Sequence, residues 1–189
     1  MPYIILIAGF SGAGKTTYAR HLATKLHIPF IGKDNIKEKL HDVLKYDTSN
    51  SQLYGMASYS VFFHIAECLM KADFSFVLES NFTLPSAGVL LPLVRKYNYR
   101  ALTVLFDADI EVLNKRISER DATDERHPGL RLSSNRTIEF NDSNCATYRD
   151  FCVGEKITID TTDFTKVDYN KMNDLVIDFI ESGEIYGVF

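Results

Sequence analysis

The sequence predicts a three-layer α/β fold, a parallel sheet held between helices, and three observations carry the prediction. Short β-branched or apolar runs alternate with longer segments whose apolar residues recur at helical spacing. The first run is followed directly by a glycine-rich turn that opens a helix. Several later runs end in acidic or polar residues, at the strand ends where parallel sheets place their ligands.

Taken in order, Tyr3 to Ala8 is an apolar run suited to a strand buried on both faces. Lys15 to Leu26 reads as a helix, with Ala19, Leu22, Ala23 and Leu26 on one side. Pro29 to Gly32 is a short second strand. Asp34 is placed to cap a helix that runs to Leu44. Lys45 to Ser51 is a polar connection, and Gln52 to Ala72 is a further helix. A strand at Phe74 to Leu78, a proline-initiated helix at Pro85 to Tyr97 and a strand at Arg100 to Phe106 follow. A helix from Ile110 to about Arg120 leads into a polar, basic stretch punctuated by Pro128 and Gly129, expected to form a lid over about residues 120–136. Lys156 to Ile159 is the fifth strand and Val167 to Ile180 the last helix. The 189 residues suit one domain, with no repeat and no linker.

Composition narrows the classes. Apolar residues make up 46% and charged residues 24%, as in ordinary globular proteins. No apolar stretch reaches the roughly 20 residues that cross a bilayer, so no membrane role is expected. Met1 to Ile7 lacks the basic start and cleavage site of a signal peptide. Three cysteines without a paired spacing point to free thiols and a cytoplasmic location. A net charge of −4 weighs against a strongly basic nucleic-acid binder.

The turn is Gly9-Phe10-Ser11-Gly12-Ala13-Gly14-Lys15-Thr16, followed by Thr17, and it fits GxxxxGK[ST] in full. Its glycines free consecutive N–H groups to face phosphate oxygens, and the helix behind adds the positive end of its dipole. Lys15 is expected to reach the β and γ phosphates and the Thr16 hydroxyl to ligate Mg²⁺. A GTP switch would need DxxG and NKxD; the chain has no DxxG, and "NKMND" sets its aspartate one place too late within a helix. The expected donor is therefore ATP. A motor or remodelling ATPase would show an acidic pair after a strand, whereas "FVLESN" offers Glu79 alone. A small kinase fits best.

Asp34 then becomes the candidate catalytic carboxylate, placed to orient an acceptor hydroxyl and take its proton. Lys37, one turn later, is a candidate contact to the substrate. Glu79 and Asn81 border the nucleotide and are candidate substrate contacts, and Glu79 is also a candidate to hold Mg²⁺. Arg116 and Arg120 share one helix face aimed at the lid that carries Arg126; at least one of the three is expected on the phosphates, where it would stabilise charge during transfer. His127 reads as a turn residue, and Asp160 to Asp163 lies where adenine would rest. The residues that follow the strands should form one cluster: Gly9 to Thr16, Lys33 and Asp34, Glu79 to Asn81, Asp107 to Asp109, and Asp160 to Asp163.

With "GFSGAGKTT", "KDNIKEKL", "VLESNF", "KRISERDATDERHPG" and "ITIDTTD" in that order, the chain resembles the P-loop kinase group of polynucleotide 5′-hydroxyl kinases, chloramphenicol phosphotransferase and zeta-type toxin kinases. The resemblance implies a five-stranded parallel sheet of order 2-3-1-4-5, Asp34 as the base and Arg126 in the lid. Polynucleotide kinases carry an arginine three places after the base; this chain has Lys37, a point charge without a bidentate fork. The expected protein is an ATP- and Mg²⁺-dependent kinase for a small-molecule hydroxyl, acting as a monomer or homodimer. Nucleic acid is the less favoured acceptor, and a nucleotide-binding regulator without an acceptor is the rival of a different class.

Overall fold

The computed structural model describes residues 1–44, 51–123, 126–131 and 140–182. Five strands form one sheet: β1 (Tyr3–Gly9), β2 (Phe30–Gly32), β3 (Phe76–Glu79), β4 (Arg100–Asp107) and β5 (Glu155–Asp160). Every pairing is parallel and the order is β2-β3-β1-β4-β5, as the resemblance implies. Among the described residues seven helices complete the layers: α1 (Lys15–Leu26), α2 (Lys33–Leu44), α3 (Ser51–Lys71), α4 (Leu84–Lys96), α5 (Ile110–Asp121), α6 (Asp142–Arg149) and α7 (Tyr169–Ser182).

The period-2 geometry of a strand explains the two cores. Ile5 and Ile7 of β1 join Val77, Leu102, Val104, Phe106 and Ile157 on one face, packed against α1, α5 and α7 through residues such as Leu22, Leu113 and Phe179. Ile4, Leu6 and Ala8 point the other way and meet Phe76, Leu78 and Leu105 under α3 and α4, with Phe62, Met70 and Leu90 as their partners. Both faces of β1 are covered, so its sequence is apolar without alternation.

Three local differences from the sequence expectation have physical causes. β2 passes into α2 with no intervening residue, so Asp34 lies in the first turn of α2 rather than capping it. An acid there still faces the positive helix end. The strand expected from Phe74 begins at Phe76, because Ala72, Asp73 and Phe74 fold back on the last turn of α3 and Asp73 takes a positive φ of 57°. Helix α6 was not expected, being short and polar. Its signal is a reciprocal cap, Asn141 with Asn144, followed by the buried Cys145. The connection expected over Lys45 to Ser51 lies, up to residue 50, outside the described residues, as do 124–125 and 132–136 of the lid.

At the sheet's carboxyl edge the register aligns Gly32 and Ile7 with Glu79, and Gly9 with Phe106. Gly9 has a φ of +121°, and a Cβ there would stand 2.0 Å from the Phe106 carbonyl oxygen. Gly9→Ala is expected to destabilise the fold by about 2–4 kcal/mol, combining backbone strain with a steric clash. Urea unfolding measures this as a lowered midpoint; an unchanged midpoint would contradict the close approach.

Candidate active site

The phosphate loop is anchored from below. Phe10 is fully buried, its ring 5.0 Å from those of both Phe140 and Tyr148. Above it, Gly12 and Gly14 adopt φ of +83° and +86°, which turn the chain into α1 at Lys15. The Lys15 ammonium donates to the Phe10 carbonyl at 2.6 Å and is only 5% exposed. Burial brings its pKa down to about 8, opposed by the charges of Glu79 and Asp34.

A cavity of about 460 Å³ opens over this loop. Of the residues expected at the nucleotide and metal, Ser11, Gly12, Gly14, Lys15, Thr16, Thr17, Glu79, Asn81 and Arg116 line it, together with Asp34 and Arg120. Gly9 and Ala13 form the buried underside of the loop instead. The Thr16 hydroxyl donates to Glu79 at 3.2 Å, and the Asn81 amide donates to the Ser11 hydroxyl at 2.9 Å. Glu79 is 6% exposed; burial raises its pKa, against the pull of Lys15. The paired hard oxygens of Thr16 and Glu79 suit Mg²⁺ held jointly with phosphate oxygens. Among the described residues no group of three or more His, Cys, Asp or Glu could hold a metal alone.

A second cavity, of about 240 Å³, lies on the far side of Asp34. Thr16, Asp34, Glu79 and Arg120 line both, so the two spaces meet at these four side chains. Arg20, Asn35, Glu38, Arg126, His127 and Leu130 complete the smaller one. Lys37 lines neither, although it stands close enough to Asp34, Lys33 and Arg126 to feel their charges. Lys33, absent from the residues expected to act, pairs with Asp34 and lies 5.3 Å from the centre of the Tyr59 ring. Burial raises the pKa of Asp34, but the charges of Lys33, Lys15 and Arg126 and the hydrogen bond from Lys33 together hold the carboxyl below its ordinary value. Lys33 was legible only as the residue that follows a strand.

The three arginines divide their roles. Arg120 is buried at Nε and at one terminal nitrogen, and neither has a hydrogen-bond partner among the described residues. Arg126 is ion-paired with Asp121. Arg116 donates to the carbonyls of Thr161 at 2.8 Å and Thr162 at 2.9 Å, fastening the loop after β5 to α5. His127 is a turn residue as expected: its Nδ1 accepts from Gly129 N, and Nε2 meets Asp42 at 2.9 Å. The cluster of strand ends assembles in part. Asp107 turns away to a salt bridge with Arg149 at 2.8 Å, and Asp107 to Asp109 do not line the cavity. The loop after β5 reaches it through Phe164, a residue the sequence reading missed, with Tyr169 beside it.

This geometry agrees with what the chain resembles. A model of the AAA domain family matches residues 4–134. The chain belongs to that family. No curated protein matches it. Among solved structures it is similar to a Chloroflexus aurantiacus J-10-fl protein provisionally assigned as a kinase, with 26% identity, a TM-score of 0.77 and coverage of 97% of this chain and 98% of that one. Two further structures share the fold at 18% identity. One is the Mycobacterium tuberculosis APS kinase CysC in complex with AMPPNP and APS, with a TM-score of 0.58 and coverage of 95% and 98%. The other is the Acinetobacter baumannii shikimate kinase in complex with shikimate, with a TM-score of 0.55 and coverage of 97% and 95%. The fold is that of a kinase-like P-loop protein. No helix among the described residues is long and apolar enough to cross a membrane.

Phosphate binding at Lys15 is expected to depend on pH. Phosphates favour its charged form, so binding above pH 8 must take up a proton, and affinity falls as pH rises through about 8. The dissociation constant for ATP is expected to rise about tenfold from pH 7 to pH 9 by this linkage. Calorimetry at the two pH values tests it; a flat response would remove Lys15 from the phosphates.

Proposed function

We propose that the protein is an ATP-dependent kinase that transfers the γ-phosphate to a hydroxyl of a small molecule. The observation that carries the reading is the meeting of two cavities at Thr16, Asp34, Glu79 and Arg120. The larger one holds the donor along the phosphate loop, and the smaller one holds the acceptor. The similarity to kinase structures and the resemblance of "KDNIKEKL" and "VLESNF" to P-loop kinases of hydroxyl acceptors support the same division.

The chain's own residues supply positioning and charge. Loop amides and Lys15 hold the phosphates, while Thr16 and Glu79 hold Mg²⁺, which neutralises charge on the transferring group when bound. Asp34 is ionised and accepts a hydrogen bond from the acceptor hydroxyl, aiming its oxygen at the phosphorus. With its pKa held low by Lys33, Lys15 and Arg126, it orients the hydroxyl and takes the proton late, as suits a loose transition state. Arg120 lines the junction of the two cavities, where charge on the transferred group develops. A small acceptor is favoured over a nucleic-acid strand because Lys33 is neutralised by Asp34 and Lys37 lines neither cavity.

The test measures ADP release from ATP and Mg²⁺ across a panel of small hydroxyl compounds, then repeats it on variants with the responding acceptor. Asp34→Asn is expected to lower turnover at least tenfold with ATP binding intact. Arg120→Ala is expected to lower kcat about a hundredfold with a much smaller change in ATP affinity. Full turnover in Asp34→Asn, or a panel in which nothing raises ADP release above slow hydrolysis, would overturn the reading.

A further inference from the structure

We propose that His127, Gly129 and Asp42 are positioning residues for the acceptor: they seat residues 126–131 on α2 and thereby fix the lid side of the smaller cavity. The inference rests on the reading of that cavity as the acceptor site. Arg126, His127 and Leu130 line it from the lid, while Asp34, Asn35 and Glu38 line it from the first turns of α2. The approach of lid to helix therefore sets the room that an acceptor finds beside Asp34.

Residues 126–131 move as one piece because their backbone closes on itself. Leu130 N donates to the His127 carbonyl at 2.9 Å, Arg131 N to the Pro128 carbonyl at 3.2 Å, and Arg131 Nε to the Arg126 carbonyl at 3.0 Å. Two ties run from this piece to different helices. Arg126 is ion-paired with Asp121 at the end of α5, and His127 Nε2 lies 2.9 Å from Asp42 near the end of α2. The His127 ring is fixed at both nitrogens. A backbone N–H can only donate, so the 3.0 Å bond from Gly129 N makes Nδ1 the acceptor. The neutral ring then carries its proton on Nε2 and donates it to the Asp42 carboxylate. One side chain thus caps the turn and joins it to α2.

Close packing holds the same contact. A Cβ added at Gly129 would stand 2.9 Å from the His41 Cβ and closer still to the His41 ring. His41 has little room to yield. It is only 4% exposed, with Tyr54 edge-on to its ring at 4.7 Å and the His127 ring stacked on it at 6.2 Å. Gly129 is not among the glycines of positive φ, so the turn itself does not require a glycine there. The missing side chain serves the approach to α2.

The test uses the responding acceptor of the panel and reads acceptor and nucleotide separately. In Gly129→Ala, kcat/KM for the acceptor is expected to fall about tenfold to a hundredfold, as a shift of about 1 Å in a positioning group implies, with the ATP dissociation constant within about twofold of native. His41→Ala added to Gly129→Ala removes the clash and is expected to recover much of the loss, a coupling that two independent defects would not show. Asp42→Ala is expected to lower the same ratio, and Asp42→Asn far less, because the amide oxygen still accepts from Nε2. Lys39→Ala, which removes the other partner of Asp42, is expected to leave it unchanged. Imidazole ¹⁵N NMR of the native protein needs no acceptor and is expected to find the His127 proton on Nε2. A native kcat/KM in Gly129→Ala, no recovery in the double variant, or a proton on Nδ1 would overturn the inference and leave the kinase reading standing. Loss of ATP binding in step with acceptor use would overturn it too, as the mark of general damage to the fold. A panel with no responding acceptor would overturn the kinase reading and this inference with it.

Discussion

Everything at the site depends on one steric constraint, the reversal of the chain between the end of β1 and the start of α1. A buried aromatic ring at Phe10 fixes the base of the turn, and left-handed glycines at 12 and 14 let the backbone close over it. The Lys15 ammonium is then almost wholly buried and rests on the Phe10 carbonyl. Burying a cation in this way is unfavourable without compensation. Glu79 and Asp34 are drawn to the same corner by the sheet register and the direct entry of β2 into α2. The carboxylates proposed to take part in the chemistry are therefore also those that make the loop's lysine tolerable.

That corner is close to electrically balanced before any ligand arrives: Lys15 and Lys33 face Asp34 and Glu79. Arg120 is the member left over, with buried nitrogens that nothing among the described residues satisfies. Orphaned buried donors are uncommon in folded proteins, and where they occur a missing partner of opposite charge is the first explanation. A phosphoryl group is such a partner.

The sequence made the architecture legible because the central strands β1, β3 and β4 are largely apolar and each long helix keeps its spacing. The phosphate loop was legible because its chemistry requires one residue order. Asp34 and Arg120 were legible as candidates from their place after a strand and on a helix face. What a linear reading could not separate was the fate of similar side chains. Arg116, Arg120 and Arg126 look alike in sequence, yet one staples a loop, one has two buried nitrogens without a hydrogen-bond partner among the described residues, and one is matched to Asp121. Such differences depend on backbone carbonyls and carboxylates distant in sequence. Helix α6 escaped because a reciprocal Asn141–Asn144 cap leaves almost no apolar periodicity. Phe164 escaped because an isolated aromatic in a polar stretch carries no signal until Arg116 is seen behind it.

The strand order has a consequence for synthesis. β1 pairs with β3 and β4 and never with β2, its neighbour along the chain. As the chain leaves the ribosome, residues 3–9 have no native partner until residues 76–79 emerge, and they are enclosed on both edges only when β4 follows at residues 100–107. The most apolar strand of the protein is made first and satisfied late. The phosphate loop, which hangs from its end, is shaped only after residues 100–107 have been translated.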